Sequence, residues 1–262
     1  MNLEKGRYCL FVAKSCPFAL RTEIVRNLKS LQEYVSVHYC DPVFEFTGWK
    51  LKYDYADNLN NIFEHKTIKE LYLECEPERT QSFTIPILYD KVDKRIISNE
   101  SSDIIKIFNA VTDVNNLDLY PEELKSRIDT FCVEFDQRIS RDTYRAGHAK
   151  TQEEYDTLFD AVFEYLDTLD SKLTSEYIIG NQMSLADVHT FAHLIRFDCL
   201  FYDLFGLNRK HLCEYPNINV YIQRLLNDPN FSSTVDYQEM KRGGYESENN
   251  QPKNLFSGLR KD

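Results

Sequence analysis

Residues 7–13 (RYCLFVA) form a short, nearly unbroken apolar run of the kind a buried strand presents. From Pro17 the period changes. Leu20, Ile24, Leu28 and Leu31 recur at helical spacing, which predicts an amphipathic helix. YVSVHY (34–39) alternates apolar and polar positions and reads as a half-buried strand. An irregular stretch follows from Asp41 to about Asn61 and holds the only tryptophan, Trp49. A polar helix is expected over 64–75. TIPILYD (84–90) and RIIS (95–98) read as two strands around a DKVDK turn, and Ser101 opens a helix running through Phe108. The order is β-α-β-α-β-β-α, an α/β pattern.

After NNLDLYPEEL the pattern is nearly all helical, with helices expected over 122–140, 152–174, 184–205 and 217–227. Breaks fall at RAGH, IIGNQ and NDPNF. MSLAD supplies a serine-x-x-acid box at Ser184 and Asp187, read as capping alone. The predicted organisation is an α/β domain over 1–112, an all-α domain over 113–245 and a polar, loosely held tail over 246–262.

Bulk composition narrows the function classes. With 42% hydrophobic and 28% charged residues the chain reads as globular. It has no apolar run long enough for a membrane span and no signal-peptide pattern at its start, so a cytoplasmic location is expected. A net charge of −11 argues against a nucleic-acid binder, which needs basic patches. The seven cysteines show no regular spacing and read as free thiols in a reducing compartment. Cys9, Cys75, Cys132 and Cys199 lie in apolar or helical contexts and read as buried small hydrophobes. His189 and His193 lie four apart on a helix but lack further ligands, so no metal is expected.

Cys16 differs from the other cysteines because it directly precedes Pro17 at the start of the first helix. Proline suits the first helical position, where its missing N–H costs nothing. Cys16 then becomes the N-cap, facing the free amides and positive dipole end of the first turn. Such thiols titrate at roughly 3.5–7.5 rather than about 8.5. Arg21, one turn on, either adds to this field or faces water. The alternative is a buried N-cap without chemistry, although serine would cap better. The residue three positions after Cys16 is Ala19, not a second cysteine. A covalent adduct on Cys16 must therefore be cleared by a thiol from solution, and glutathione is the abundant one in the cytosol.

This arrangement resembles the glutathione transferases, whose fold is a thioredoxin-like N-terminal domain followed by a helical bundle. Cys16-Pro17-Phe18-Ala19-x-Arg21-Thr22 is similar to the C-P-[WF]-A-x-R-T of the Xi class, the glutathionyl-hydroquinone reductases. Gly48-Trp49, Ile85-Pro86-Ile87-Leu88-Tyr89-Asp90 and Ser98-Asn99-Glu100-Ser101-Ser102-Asp103 resemble that class's motifs in order. So do Asp118-Leu119-Tyr120-Pro121, Tyr144-Arg145-Ala146-Gly147 and Arg196-Phe197-Asp198.

The resemblance implies that Cys16 is the nucleophile and Pro86 a cis-proline. The backbone of Ile85 would pair with the cysteinyl part of glutathione, Trp49 would pack against it, and Glu100 and Ser101 would take its γ-glutamyl end. Pro86 read alone could mark an edge strand, and Glu100 a simple cap. Tyr144 and Tyr245 match positions where the class lines its aromatic-substrate pocket, although the chain has 17 tyrosines and most serve packing. The resemblance further implies glutathione as cosubstrate, a glutathionylated quinol as substrate and a homodimer.

Departures fall on the quinol side. The class's K-R-H-Y-Y-x-S-H reads Lys241-Arg242-Gly243-Gly244-Tyr245-Glu246-Ser247-Glu248 here. Its tyrosine and histidine after R-F-D read Phe201 and Leu204. These changes keep open a broader Omega-like thioltransferase or dehydroascorbate reductase. A non-catalytic adaptor, as in the gamma subunit of the elongation factor complex, is the third alternative.

Overall fold

A computed structural model describes residues 3–52 and 65–248. Backbone contacts divide them into two units, one built from the chain up to Asp118 together with the stretch from Ser233, the other from Leu119–Ser232.

In the first unit, β1 (Tyr8–Val12) leads into α1 (Pro17–Leu28), then β2 (Val35–Glu45) and β3 (Gly48–Leu51). Next come α2 (Ile68–Cys75), β4 (Ile87–Asp90), β5 (Arg95–Ser98) and α3 (Ser101–Asn109). The sheet order is β3-β2-β1-β4-β5. β1 pairs in parallel with β2 and antiparallel with β4, which makes β1 central and explains its wholly buried apolar run. Helix α1 buries Ala19, Leu20, Ile24, Val25 and Leu28 and stops before Ser30, whose φ is +57°. The expected β-α-β-α-β-β-α frame is present, with β3 added.

That extra strand corrects the reading of 41–61 as irregular. β2 continues to Glu45, Gly48 at φ +105° allows the reversal, and Trp49 returns opposite Phe44. Their rings meet edge to face, with centroids 5.4 Å apart. The remainder of the stretch, from residue 53, lies outside the described residues.

The second unit holds α4 (Lys125–Phe135), α5 (Asp142–Gly147), α6 (Gln152–Lys172), α7 (Leu185–Leu194), α8 (Tyr202–Leu204), α9 (Pro216–Leu226) and α10 (Pro229–Ser232). The helix expected at 122–140 passes through a wider turn at Asp136–Arg141 and continues to Gly147. The one expected at 184–205 is interrupted after Leu194 by a similar turn at Phe197–Phe201. The capping box is present: the Asp187 carboxylate accepts from the Ser184 N–H at 2.8 Å and its hydroxyl at 3.1 Å. It also accepts from the Ile178 N–H and the Tyr221 hydroxyl, which suits a fully buried acid.

The chain then returns to the first unit as α11 (Tyr237–Glu246), a helix the sequence pattern does not predict. Placing 233–248 with the α/β unit differs from the grouping 113–245 expected from sequence. The contacts give the reason. Lys52 pairs with Glu239 at 2.7 Å and Arg242 with Asp41 at 3.2 Å. The Ser247 hydroxyl and Glu248 carboxylate accept from the Phe44 and Phe46 N–H groups at 2.8 and 2.5 Å. Ser247 is accordingly buried and not part of a loose tail; 249–262 lie outside the described residues.

Candidate active site

Cys16 is the N-cap of α1, with extended backbone (φ −91°, ψ 116°) and Pro17 in the first turn. The Cys16 N–H closes a turn onto Ala13 O at 3.0 Å, and its own carbonyl accepts from Leu20 N–H at 3.0 Å. The thiol is half-buried and lies 3.8 Å from the Ile85 carbonyl, to which it donates. An S–H bond of this kind is weak. Ionisation gives it up, while the amide end of α1 favours the anion.

The Ile85–Pro86 peptide bond is cis, immediately ahead of β4 and beside Cys16. Pro86 is therefore not a plain edge-strand proline. Three side chains given no role of their own from sequence frame this segment. The Tyr72 hydroxyl donates to Thr84 O at 2.9 Å, and Asn99 Nδ2 donates to Thr84 Oγ1 at 3.4 Å. The residues before the cis bond are thus tied to α2 and to the approach of α3. Only Asn99 carried a signal, as part of its motif.

Glu100 is the N-cap of α3, and its side chain makes no capping bond. The Glu100 N–H donates to Ser98 Oγ at 3.1 Å, and Ser101 is buried in the first turn. An exposed carboxylate beside a helix N-terminus offers one place for an ammonium and another for a carboxylate. Trp49 is half-buried on β3.

Arg21 does not face water. It is 2% exposed, with its guanidinium 4.7 Å over the Phe18 ring. Beneath the Cys16 turn, buried Lys14 pairs with buried Glu23 at 2.9 Å, and the Tyr39 hydroxyl donates to the same carboxylate at 2.6 Å. This network joins β1, α1 and β2, and neither Lys14 nor Glu23 was singled out from sequence. Among the other cysteines, Cys9 and Cys40 are buried, and burial pushes the Cys9 thiol up to about 11. Cys75, Cys132 and Cys199 are only half-buried, contrary to expectation.

Tyr245 lies on α11 in the same unit as Cys16 and is 44% exposed. In the second unit, Tyr144 lies on α5 and is 43% exposed. Its ring stacks on His148 at 4.1 Å and meets Phe205 edge to face at 6.2 Å. Burial of part of the ring pushes the Tyr144 phenol above 10, so it holds its proton at neutral pH. Phe201 and Leu204 are buried, with Phe201 stacked on Phe205 at 5.6 Å. His189 and His193 are buried on α7. Among the described residues no group of His, Cys, Asp or Glu could hold a metal ion. Nor, among them, is any helix long and apolar enough to cross a membrane.

A central parallel–antiparallel sheet with a proline-backed cysteine at its first strand–helix junction, a cis-proline beside it and a helical unit define the class: this is a glutathione transferase fold. The family model for the glutathione S-transferase C-terminal domain matches residues 134–229. Glutathionyl-hydroquinone reductase PcpF of Sphingobium chlorophenolicum is 36% identical over 93% of this chain and 79% of its own length. The glutathione-bound structure of YqjG from Escherichia coli K-12 aligns with a TM-score of 0.90 and 30% identity, over 95% of this chain and 83% of that one. Glutathione transferase Xi 1 of Trametes versicolor gives 0.87 and 34%, over 94% and 88%. The chain belongs to the Xi-class glutathione transferases, the family of the glutathionyl-hydroquinone reductases.

Proposed function

We propose that this protein is a glutathione-dependent reductase that removes glutathione from glutathionylated hydroquinones. The observation that carries this reading is a thiol at the N-terminus of α1, resting on the carbonyl that precedes a cis-proline, with Ala19 where a resolving cysteine would stand. The Cys16 thiolate attacks the glutathione sulfur of the substrate. The carbon–sulfur bond breaks, the ring carbon takes a proton, and hydroquinone leaves. The sulfur–sulfur bond formed joins Cys16 to glutathione. A second glutathione thiolate attacks the glutathionyl sulfur of that mixed disulfide, releasing oxidised glutathione and regenerating Cys16.

The resemblance assigns Ile85, Pro86, Glu100, Ser101 and Trp49 to glutathione, and Tyr144 and Tyr245 to the aromatic substrate. A protonated phenol suits Tyr144 as a hydrogen-bond donor to a quinol oxygen. The family's expected homodimer would appear as twice the chain mass in light scattering. A cytoplasmic location is part of the same reading, tested by fractionation.

A broader thioltransferase is the second reading. It is favoured by Phe201 and Leu204, whose apolar side chains are buried where the family resemblance expects a tyrosine and a histidine. Turnover of a glutathionylated hydroquinone against turnover of a small glutathione mixed disulfide separates the two. Cys16→Ser abolishes both under either reading. Retention on glutathione resin together with rates that Cys16→Ser does not alter counts against both and favours the non-catalytic adaptor.

A further inference from the structure

The β1–α1 turn that presents Cys16 is not held by its own strand and helix alone. Ser15, the residue before the thiol, donates its hydroxyl to Pro42 O on β2 at 2.6 Å. Helix α11 lies directly on this pair. A Cβ added to Gly243 would stand 2.2 Å from Ser15 Cβ, 2.5 Å from Pro42 O and 2.7 Å from Ser15 Oγ. No real side chain tolerates such separations, and one of the atoms is backbone that cannot rotate away. Gly243 is buried, and its position is fixed from both sides by the Glu239–Lys52 and Arg242–Asp41 ion pairs and by the bonds from Ser247 and Glu248 to the β2–β3 hairpin. A glycine in the interior of a helix costs roughly 0.5–1 kcal/mol relative to alanine. Here its missing side chain allows a three-way junction of turn, strand and helix, one residue from the nucleophile.

We propose that Gly243 is a positioning residue for Cys16: by letting α11 seat on Ser15 it fixes the β1–α1 turn so that the thiol stands at the N-terminus of α1. This rests on Cys16 being the activated nucleophile. Displacing Ser15 would swing Cys16 off the helix axis, where the first-turn amides and the dipole no longer favour its anion. The effect reaches the chemistry through the turn, because Gly243 itself carries no group able to touch substrate.

The test follows iodoacetamide alkylation of the Cys16 peptide against pH by mass spectrometry, for wild type, Gly243→Ala and Ser15→Ala, with circular dichroism to confirm folding. Gly243→Ala is expected to move the midpoint upward by about one pH unit, cutting the thiolate present below the midpoint about tenfold. Ser15→Ala, which removes the bond to Pro42 O without adding bulk, is expected to shift it in the same direction by less. A folded Gly243→Ala protein with the wild-type midpoint overturns the proposal. If that variant does not fold, Ser15→Ala decides: an upward shift supports the proposal and an unchanged midpoint overturns it. A wild-type midpoint near that of an ordinary thiol would instead overturn the activation of Cys16, separating failure of the functional reading from failure of this one.

Discussion

Gly147 closes the Tyr144-Arg145-Ala146-Gly147 motif, and the structure shows what a side chain there would meet. A Cβ at Gly147 would lie 2.1, 2.4 and 2.5 Å from three atoms of the Phe205 ring. Ordinary contact needs more than 3.4 Å, so the ring would have to retreat by over an ångström. It has little room: it stacks on Phe201 at 5.6 Å with planes 6° apart, and its own carbonyl accepts from the Tyr155 hydroxyl at 3.1 Å. Overpacking of this kind costs about 1–3 kcal/mol, offset by up to about 1 kcal/mol from alanine's better helix propensity. Gly147→Ala is therefore expected to lose about 1–2 kcal/mol in urea denaturation at neutral pH. Because Phe205 also abuts Tyr144 edge to face, turnover of a glutathionylated hydroquinone should fall while the alkylation profile of Cys16 stays as in wild type. A variant as stable as wild type, with full turnover, refutes the reasoning that Gly147 exists to seat Phe205 and steady Tyr144.

Tyr144→Phe keeps the ring contacts and removes the phenol; it should lower turnover on the quinol substrate about a hundredfold, measured in steady state, with Cys16 alkylation unchanged. Acid stability should report Asp90 at the end of β4. Arg7 bonds its carboxylate at 2.7–3.0 Å and holds it down at about 2, below the ordinary 3.8. A depressed carboxyl stabilises the fold above its unfolded pKa and loses that contribution as pH falls. Asp90→Asn should thus cost about 1–2 kcal/mol at pH 7, less than the roughly 2.5 kcal/mol of an unscreened shift because Arg7 is partly open to solvent. The gap from wild type should close between about pH 4 and pH 2; a gap constant with pH in urea titrations contradicts the assignment.

What the sequence disclosed depended on how local each cause was. The strand at Tyr8–Val12, the helix behind Pro17 and the box at Ser184 and Asp187 are written in neighbouring residues, and all were legible. Cys16 was legible for the same reason, since proline and the absent second cysteine stand within three positions of it. β3 was not, because Trp49 becomes a strand residue only by pairing across to Phe44. Helix α11 was hidden by Gly243 and Gly244, which oppose helix locally, while the surroundings of Gly243 come from residues some two hundred positions earlier. Lys14 and Glu23 give no pattern at all until β1 and α1 bring them together.

The central claim is that Cys16 accepts glutathione directly from the substrate. The decisive measurement is a single turnover with a glutathionylated hydroquinone and no free glutathione, followed by digestion and mass spectrometry. One hydroquinone per chain should be released, with the glutathionyl mass on the Cys16 peptide. Release without that adduct, or the adduct on another cysteine and undiminished in Cys16→Ser, would contradict the mechanism.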